Sequence, residues 1–361
     1  MSTIFNTITS CPVFQAWLTD YFATCPATRR PGSPLFNFLY SDINRSNLRN
    51  VVNPVPGRKR DVTLVYDQPV VTTDVTAVPS CDRICDATTE RGDANVTYTI
   101  ECTDGLYVEE QWRLSDWNES CRSDGDILMR KLANMLDGLM AALYAKVASE
   151  MPPLLGGWSA DINSGWIDAD DFLQVATEIA SSDNPNWGTG SAWQRINAAK
   201  MLNGICQPTF ITGGMDLFMY YQLSRVGCCA DNGIDALAAF NQYSEVTTFD
   251  RYVAGEFGND VSLMLQAGSV QLLTYNAVTP LITNLGGLGE LDMTYRNYFE
   301  AIILDPLTGF PVDLSIKSDC GVVDIVMTAT AKPVALPFTL YPEGHPNEGV
   351  NFATGIQVVN S

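Results

Sequence analysis

Apolar and polar positions divide this chain into stretches of different period. Residues 61 to 71 alternate, with Val62, Leu64 and Tyr66 on one face, and Val96, Tyr98 and Ile100 repeat that period after a long polar excursion. A period of two marks a half-buried strand. A third run, Leu106 to Leu114, follows the turn signal Asp104-Gly105, and the three together predict a long hairpin with a polar tip. Two-stranded ribbons are marginal in water without a surface to pack on. This element asks for a neighbour.

The period then changes to that of a helix. Asp124 can cap a helix that begins at Asp126 and carries Leu128, Leu132, Met135, Leu136, Leu139, Leu143 and Val147 along one side until Pro152 and Pro153 stop it. Some 26 residues at 1.5 Å each give about 39 Å, roughly twice an average helix. A Leu and Met stripe at this spacing is a core face, and it predicts the spine of the main domain.

From 154 to 294 the pattern predicts a mixture of shorter elements: helices over Asp170 to Ala180, Ser191 to Gly204, Gly214 to Arg225 and Ile234 to Gln242, and strands near Pro208 to Ile211 and Val270 to Tyr275. The helix after Thr212-Gly213-Gly214 has backbone N–H groups suited either to an anion or to a plain cap, and the cap is the reading taken. The last region predicts an antiparallel meander. Tyr295 to Leu304 is a strand, Asp305-Pro306-Leu307-Thr308-Gly309 a turn, Val312 to Ile316 a return, and Ser318-Asp319-Cys320-Gly321 a second turn into Val322 to Thr330. A proline-rich tail runs on to Ser361. The fold class expected for this order of elements is α+β.

Residues 1 to 60 fit neither period. They offer one short amphipathic helix near Val13 to Phe22 and are otherwise broken by Pro26, Pro31, Pro34, Pro54 and Pro56. Yet they hold Phe5, Phe14, Trp17, Tyr21, Phe22, Phe36, Phe38 and Tyr40, more aromatics than a disordered tail carries. An extended arm has no surface of its own to bury them. The expectation is an arm laid on something else.

Charge sharpens this picture. The chain has 21 basic and 41 acidic residues, a formal charge of -20, which argues against sequence-specific nucleic-acid binding. The imbalance is uneven: Arg29, Arg30, Arg45, Arg49, Arg58, Lys59 and Arg60 are opposed in their stretch by Asp42 alone, whereas residues 226 to 300 are acidic. A basic arm and an acidic body suit association between copies.

Familiar chemistry is sparse. No run approaches the roughly 18 apolar residues that cross a bilayer, and the first thirty residues break every apolar run with Thr, Asn, Asp or Pro, so neither a membrane span nor a signal peptide is expected. The ten cysteines lack the spacing of a secreted scaffold and are read as reduced thiols. Cys81, Cys85, Cys102 and Cys121 could surround zinc, but their spacing matches no common finger or ribbon. The single histidine, His345, lies among Pro342, Gly344 and Pro346, a poor place for a hydrolase base. Asp161 to Gly165 opens like a calcium loop, but Trp166 and Phe172 replace the glycine and glutamate that such a loop needs. The 41 acids leave a glycosidase-like pair open, with no pair standing out. No catalytic, cofactor or metal site is assigned.

The order of elements is itself informative: basic arm, long hairpin, long helix, compact mixed domain, returning strands. It resembles the major capsid proteins of tailed phages, most closely in text over Tyr295 to Pro337, with Asp305 to Asp313 and Ser318-Asp319-Cys320, and in Gln207-Pro208-Thr209-Phe210-Ile211-Thr212-Gly213. The resemblance implies an N-arm at 1–60, an E-loop hairpin at 61–117, a spine helix at 118–153, a mixed α/β A-domain at 154–294, antiparallel P-domain strands at 295–342 and a C-terminal tail at 343–361. It implies a non-enzymatic subunit of an icosahedral shell, built of hexamers and pentamers around packaged double-stranded DNA. Such a shell assembles in a host bacterium's cytoplasm, with portal, scaffolding and decoration proteins as further partners and DNA touched only non-specifically.

Candidate intersubunit residues are Arg29, Arg30, Arg45, Arg49, Arg58, Lys59 and Arg60 with Phe36 and Phe38 in the arm, and Tyr66, Arg83 and Arg91 in the hairpin. No lysine lies between Lys59 and Lys131, so the covalent crosslink that some members make through an E-loop lysine is not expected. The arm follows Met1 directly, so a cleaved scaffolding segment is not expected either. An encapsulin-like protein compartment and an acidic carbohydrate-active enzyme or binder are the alternative readings.

Overall fold

The computed structural model describes residues 16, 30–42, 44, 61–66, 94–113, 124–159, 162, 164–176, 192–205, 209–226, 246–277, 298–319, 322–336 and 352–359. The predicted helices at Val13 to Phe22 (apart from Ala16) and Ile234 to Gln242 lie outside these residues.

Helix α1 spans Pro34–Tyr40 and α2 spans Asp124–Ser149. Its 26 residues match the expected spine, although Asp124 stands inside the helix instead of capping it. Leu132, Leu136, Leu139, Met140, Leu143 and Val147 are buried along one side. They lie on a sheet with the order β3-β11-β10-β9, formed by β3 (Gly105–Arg113), β9 (Tyr298–Leu304), β10 (Pro311–Asp319) and β11 (Val322–Ala335). All its pairings are antiparallel. Strand alternation puts Val323, Ile325 and Met327 of β11 and Leu314 and Ile316 of β10 in the same core as α2. The returning meander is therefore as the sequence predicts.

Two expectations are corrected in this sheet. The run after Gly105 is not a third part of the hairpin: β3 pairs with β11 over its full length. Val108 and Leu106 pack on the α2 core, which the exposed stem of a ribbon could not offer them. Strand β8 (Val270–Thr274), predicted within the mixed domain, instead extends this sheet by pairing with the end of β11.

The second sheet has the order β4-β12-β7-β5-β6, from β4 (Leu173–Val175), β5 (Thr209–Gly213), β6 (Val246–Phe249), β7 (Val261–Gln266) and β12 (Ala353–Val358). Strand β7 is buried on both faces, Leu263 and Leu265 toward the α2 core and Met264 toward a second core. That second core holds Trp193 and Ile196 of α3 (Ala192–Leu202) and Leu217 and Tyr221 of α4 (Met215–Val226). A continuous apolar run is what two covered faces require.

Two further expectations fail here. The predicted helix from Asp170 contains β4 instead, reached through a turn in which Asp171 takes φ 62° and the Asp168 carboxylate accepts the N–H groups of Asp170 and Phe172. The tail is not merely proline-rich: β12 lies inside the sheet, parallel to β4 and antiparallel to β7. The turn from β5 into α4 is pressed against the start of β7, where Gly214 donates to the Val261 carbonyl at 2.7 Å and Asp216 to that of Asn259 at 3.2 Å. Those two N–H groups are held by backbone carbonyls from the approach to β7.

Candidate assembly surface

The part of the expected arm that is described is no arm. Residues 30–42 and 44 form a strap that buries Arg30, Ser33, Leu35, Phe36, Leu39 and Asn44 against the rest of the described chain. Leu35, Phe36 and Leu39 of α1 belong to the α2 core. Phe36 sits 4.8 Å from Tyr144 and 5.3 Å from Phe310, ring centre to ring centre, and Phe38 stacks on Phe210 at 4.5 Å. These aromatics need no neighbouring copy. A proline-broken stretch finds its surface on the core of its own chain.

Polar groups stitch the strap at three points. Arg30 pairs with Asp305 and, at 3.0 Å, with Asp137 of α2, while its Nε lies 3.4 Å from the Tyr144 hydroxyl. Burial disfavours its charge, but Asp305 and Tyr144 outweigh that, and the guanidinium pKa rises from its ordinary value. Burial also pushes the Tyr144 phenol up to about 12, against the opposing pull of Arg30. Next, the buried Asp250 carboxylate accepts from the Ser33 hydroxyl at 2.7 Å and the Leu35 N–H at 2.9 Å. Its other oxygen caps α5 (Arg251–Phe257) by accepting from Tyr252. Last, the Asn44 side chain donates to the carbonyls of Leu39 and Val270 and accepts from Gly268. A buried polar group is tolerated when its partners are supplied, and here each is.

The ribbon is the opposite case. Among the described residues, strand β1 (Asp61–Tyr66) and β2 (Ala94–Thr99) pair only with each other. The register sets Val62 opposite Tyr98, Leu64 opposite Val96 and Tyr66 opposite Ala94, so one face is apolar. The other face pairs Thr63 with Thr97, hydroxyls 2.9 Å apart, and Thr99 with Asp61. At the root the apolar face is covered: Val62 and Ile100 pack with Val334 and Leu336, beside Tyr98, Leu273 and Tyr275. The Tyr98 hydroxyl donates to the Ala335 carbonyl at 2.7 Å, and Lys332 bridges the Thr99 carbonyl to Asp104. Farther out, Val96 is partly exposed and lies outside that cluster.

Of the other predicted contact residues, Tyr66 is described only as the last residue of β1. Arg29, Arg45, Arg49, Arg58, Lys59, Arg60, Arg83 and Arg91 lie outside the described residues. Only Cys102 of the four cysteines considered for zinc is described, a free and exposed thiol. Among the described residues no group of three metal-ligating side chains is found and no helix is long and apolar enough to cross a membrane. Sequence reasoning missed the exposed Tyr107 of β3, which stands out with Leu304 and Leu307 at the β9–β10 turn and Met201 and Met219 on α3 and α4. The alternation of Leu106, Val108 and Glu110 against Tyr107, Glu109 and Gln111 was the available signal.

No family model and no curated protein matches this chain. Solved structures similar to it include one titled as the capsid of Ralstonia phage GP4, with 11% identity over 92% of this chain and 93% of that one at a TM-score of 0.47. A cyanophage A-1(L) capsid asymmetric unit matches with 11% identity over 93% and 97% at 0.46. A structure titled Mycobacterium phage Adephagia matches with 12% over 95% and 98% at 0.44.

Proposed function

We propose that this chain is a major capsid protein: a structural, non-catalytic subunit that self-assembles into the icosahedral shell around a tailed phage's packaged double-stranded DNA. The observation that carries the reading is the ribbon β1–β2. Its apolar face begins on its own chain's Val334 and Leu336, and farther out Val96 is partly exposed and outside that cluster. A projecting ribbon with one apolar face is stable only when a second surface completes it. A second copy is the simplest source of that surface, and repetition closes a shell by many weak contacts.

The parts are read accordingly. Residues 61–100 are the projecting loop, α2 is the spine, β3, β9, β10 and β11 with it form the peripheral domain, and the second sheet with α3 and α4 forms the axial domain. The capsid role printed for the Ralstonia phage and cyanophage structures enters here as part of the proposal, as does location in the virion.

Electron microscopy of the purified chain, with analytical ultracentrifugation, is the test. The expected result is closed particles of uniform diameter, which in virions hold DNA. A chain that sediments as a monomer at high concentration, with its ribbon protected from hydrogen exchange, rejects it.

A further inference from the structure

The strap and α5 share one carboxylate. Asp250 is fully buried and stands at the N-termini of two helices at once. One of its oxygens accepts from the N–H groups of Tyr252 and Val253 in the first turn of α5, at 2.9 and 3.4 Å. The other accepts from Ser33 and Leu35, where α1 begins, and the Ser33 hydroxyl in turn accepts from the Phe36 N–H at 3.1 Å. A second contact lies beside it: the Tyr252 hydroxyl donates to the Pro31 carbonyl at 3.3 Å. Carboxylates favour the positive end of a helix, and here a single charge serves two.

Neither helix can stand by itself. Each has 7 residues, whereas an isolated helix below about 12–15 residues is marginal in water. Among the described residues no strand pairs with the strap. Side chains hold it to the body: Arg30 at one end, Asn44 at the other, and Leu35, Phe36 and Leu39 between them. Its polar partners are remote in sequence, with Asp137 107 positions from Arg30, Asp250 215 from Leu35, Val270 226 from Asn44 and Asp305 275 from Arg30. Closing loops of that length costs entropy before any contact forms. The strap therefore docks on a body that is already built.

We infer that the strap and α5 are one clasp, closed last over the finished body, with the Asp250 carboxylate as its joint. Through Arg30 the clasp holds α2 and the β9–β10 turn of the first sheet. Through Asp250, whose N–H donates to the Gly213 carbonyl at 2.9 Å, it holds the end of β5 in the second. Closing it braces the two sheets against each other. Opening it uncaps α5 and releases the brace while β10 and β11 stay paired. The buried Leu35, Phe36 and Leu39 keep the closed form dominant, so the open form is a minor state of the kind that hydrogen exchange detects. The clasp belongs to the single chain, and its test needs no assembled particle.

Amide hydrogen exchange of the unassembled full-length chain, followed by mass spectrometry peptide by peptide, provides that test. In the parent chain α1 and α5 are expected to share one protection factor, at least about tenfold below that of β10 and β11. Two variants then act on the clasp from opposite ends without touching Asp250 or its partners. Asn44→Ala removes the far anchor of the strap and is expected to speed exchange in α1 and in α5 by a common factor of about ten. Gly255→Ala favours α5, where a Cβ meets nothing within 4 Å, and is expected to slow both helices by a common factor of about two to five.

An α5 indifferent to Asn44→Ala, an α1 indifferent to Gly255→Ala, or two helices as protected as β10 and β11 would each overturn the clasp. The joint is checked in an Asp250→Asn background, whose amide cannot accept on both sides. There the response of α5 to Asn44→Ala is expected to fall toward onefold, and a response kept in full overturns the part given to Asp250.

Discussion

Arg30 and Asp305 lie 275 positions apart and form an ion pair in which the two side chains are 1% and 0% exposed. The pair joins the start of the strap to the β9–β10 turn. Asp305 has further duties there, accepting from the Thr308 N–H and hydroxyl at 3.1 and 2.6 Å. One carboxylate thus organises a turn and anchors a segment from the far end of the chain.

Arg30→Met tests that pair, because it keeps the apolar stem and leaves Asp305 buried without its counter-ion. Removing one partner of a buried pair costs about 3–5 kcal/mol. Urea unfolding of the dissociated subunit is expected to show a loss of that size, and a loss below about 1 kcal/mol would mean that solvent and the two Thr308 hydrogen bonds already satisfy the Asp305 carboxylate.

Alkaline pH probes the same neighbourhood through Tyr144. Its phenol titrates at about 12 in the folded chain against an ordinary value of 10. Between those values the unfolded chain releases a proton that the folded chain keeps, so the folded state is fully favoured below pH 10 and loses stability as pH rises toward 12. Two pH units correspond to roughly 2–3 kcal/mol. Burial raises Tyr220 and Tyr252 in the same direction. Unfolding midpoints measured across this window are therefore expected to fall less steeply, but still to fall, in Tyr144→Phe.

The parts legible in the sequence are those whose partners are near in sequence or whose period is long. Helix α2 announces itself in a Leu and Met stripe, and β9, β10 and β11 follow one another through short turns. The strap was misread because what buries Phe36 is Phe310 and Tyr144, and what neutralises Arg30 is Asp305, none of which local pattern reveals. Strand β12 was missed for the same reason: Ala353 to Val358 looks like tail until Leu265 and Leu173 stand beside it. Strand β4 has only three residues, too few to show a period against the helical pattern around Asp170.

Two glycines should respond to the same substitution with opposite signs. A Cβ on Gly214 would stand 2.0 Å from the Asn259 carbonyl oxygen, backbone against backbone, so Gly214→Ala is expected to cost at least about 1–3 kcal/mol. Gly255 lies inside α5 with nothing within 4 Å of such a Cβ. There alanine removes freedom from the unfolded chain and favours the helix, a gain of about 0.5–1 kcal/mol. Thermal unfolding of both variants beside the parent checks the pair.

The ribbon allows stability and assembly to be separated within one strand. Val96 lies on its apolar face beyond the covered root, and Thr97 points the other way, its hydroxyl against Thr63. Because Val96 is partly exposed in the single chain, Val96→Lys should change subunit stability by no more than about 0.5 kcal/mol. In a shell the same lysine would be forced into an apolar contact, where an unpaired charge is strongly disfavoured. Loss of particles by Val96→Lys, with Thr97→Lys still assembling, is the outcome expected from sedimentation and microscopy. Equal behaviour of the two variants would mean that the apolar face of the ribbon meets no second copy, and the shell reading would lose the observation on which it stands.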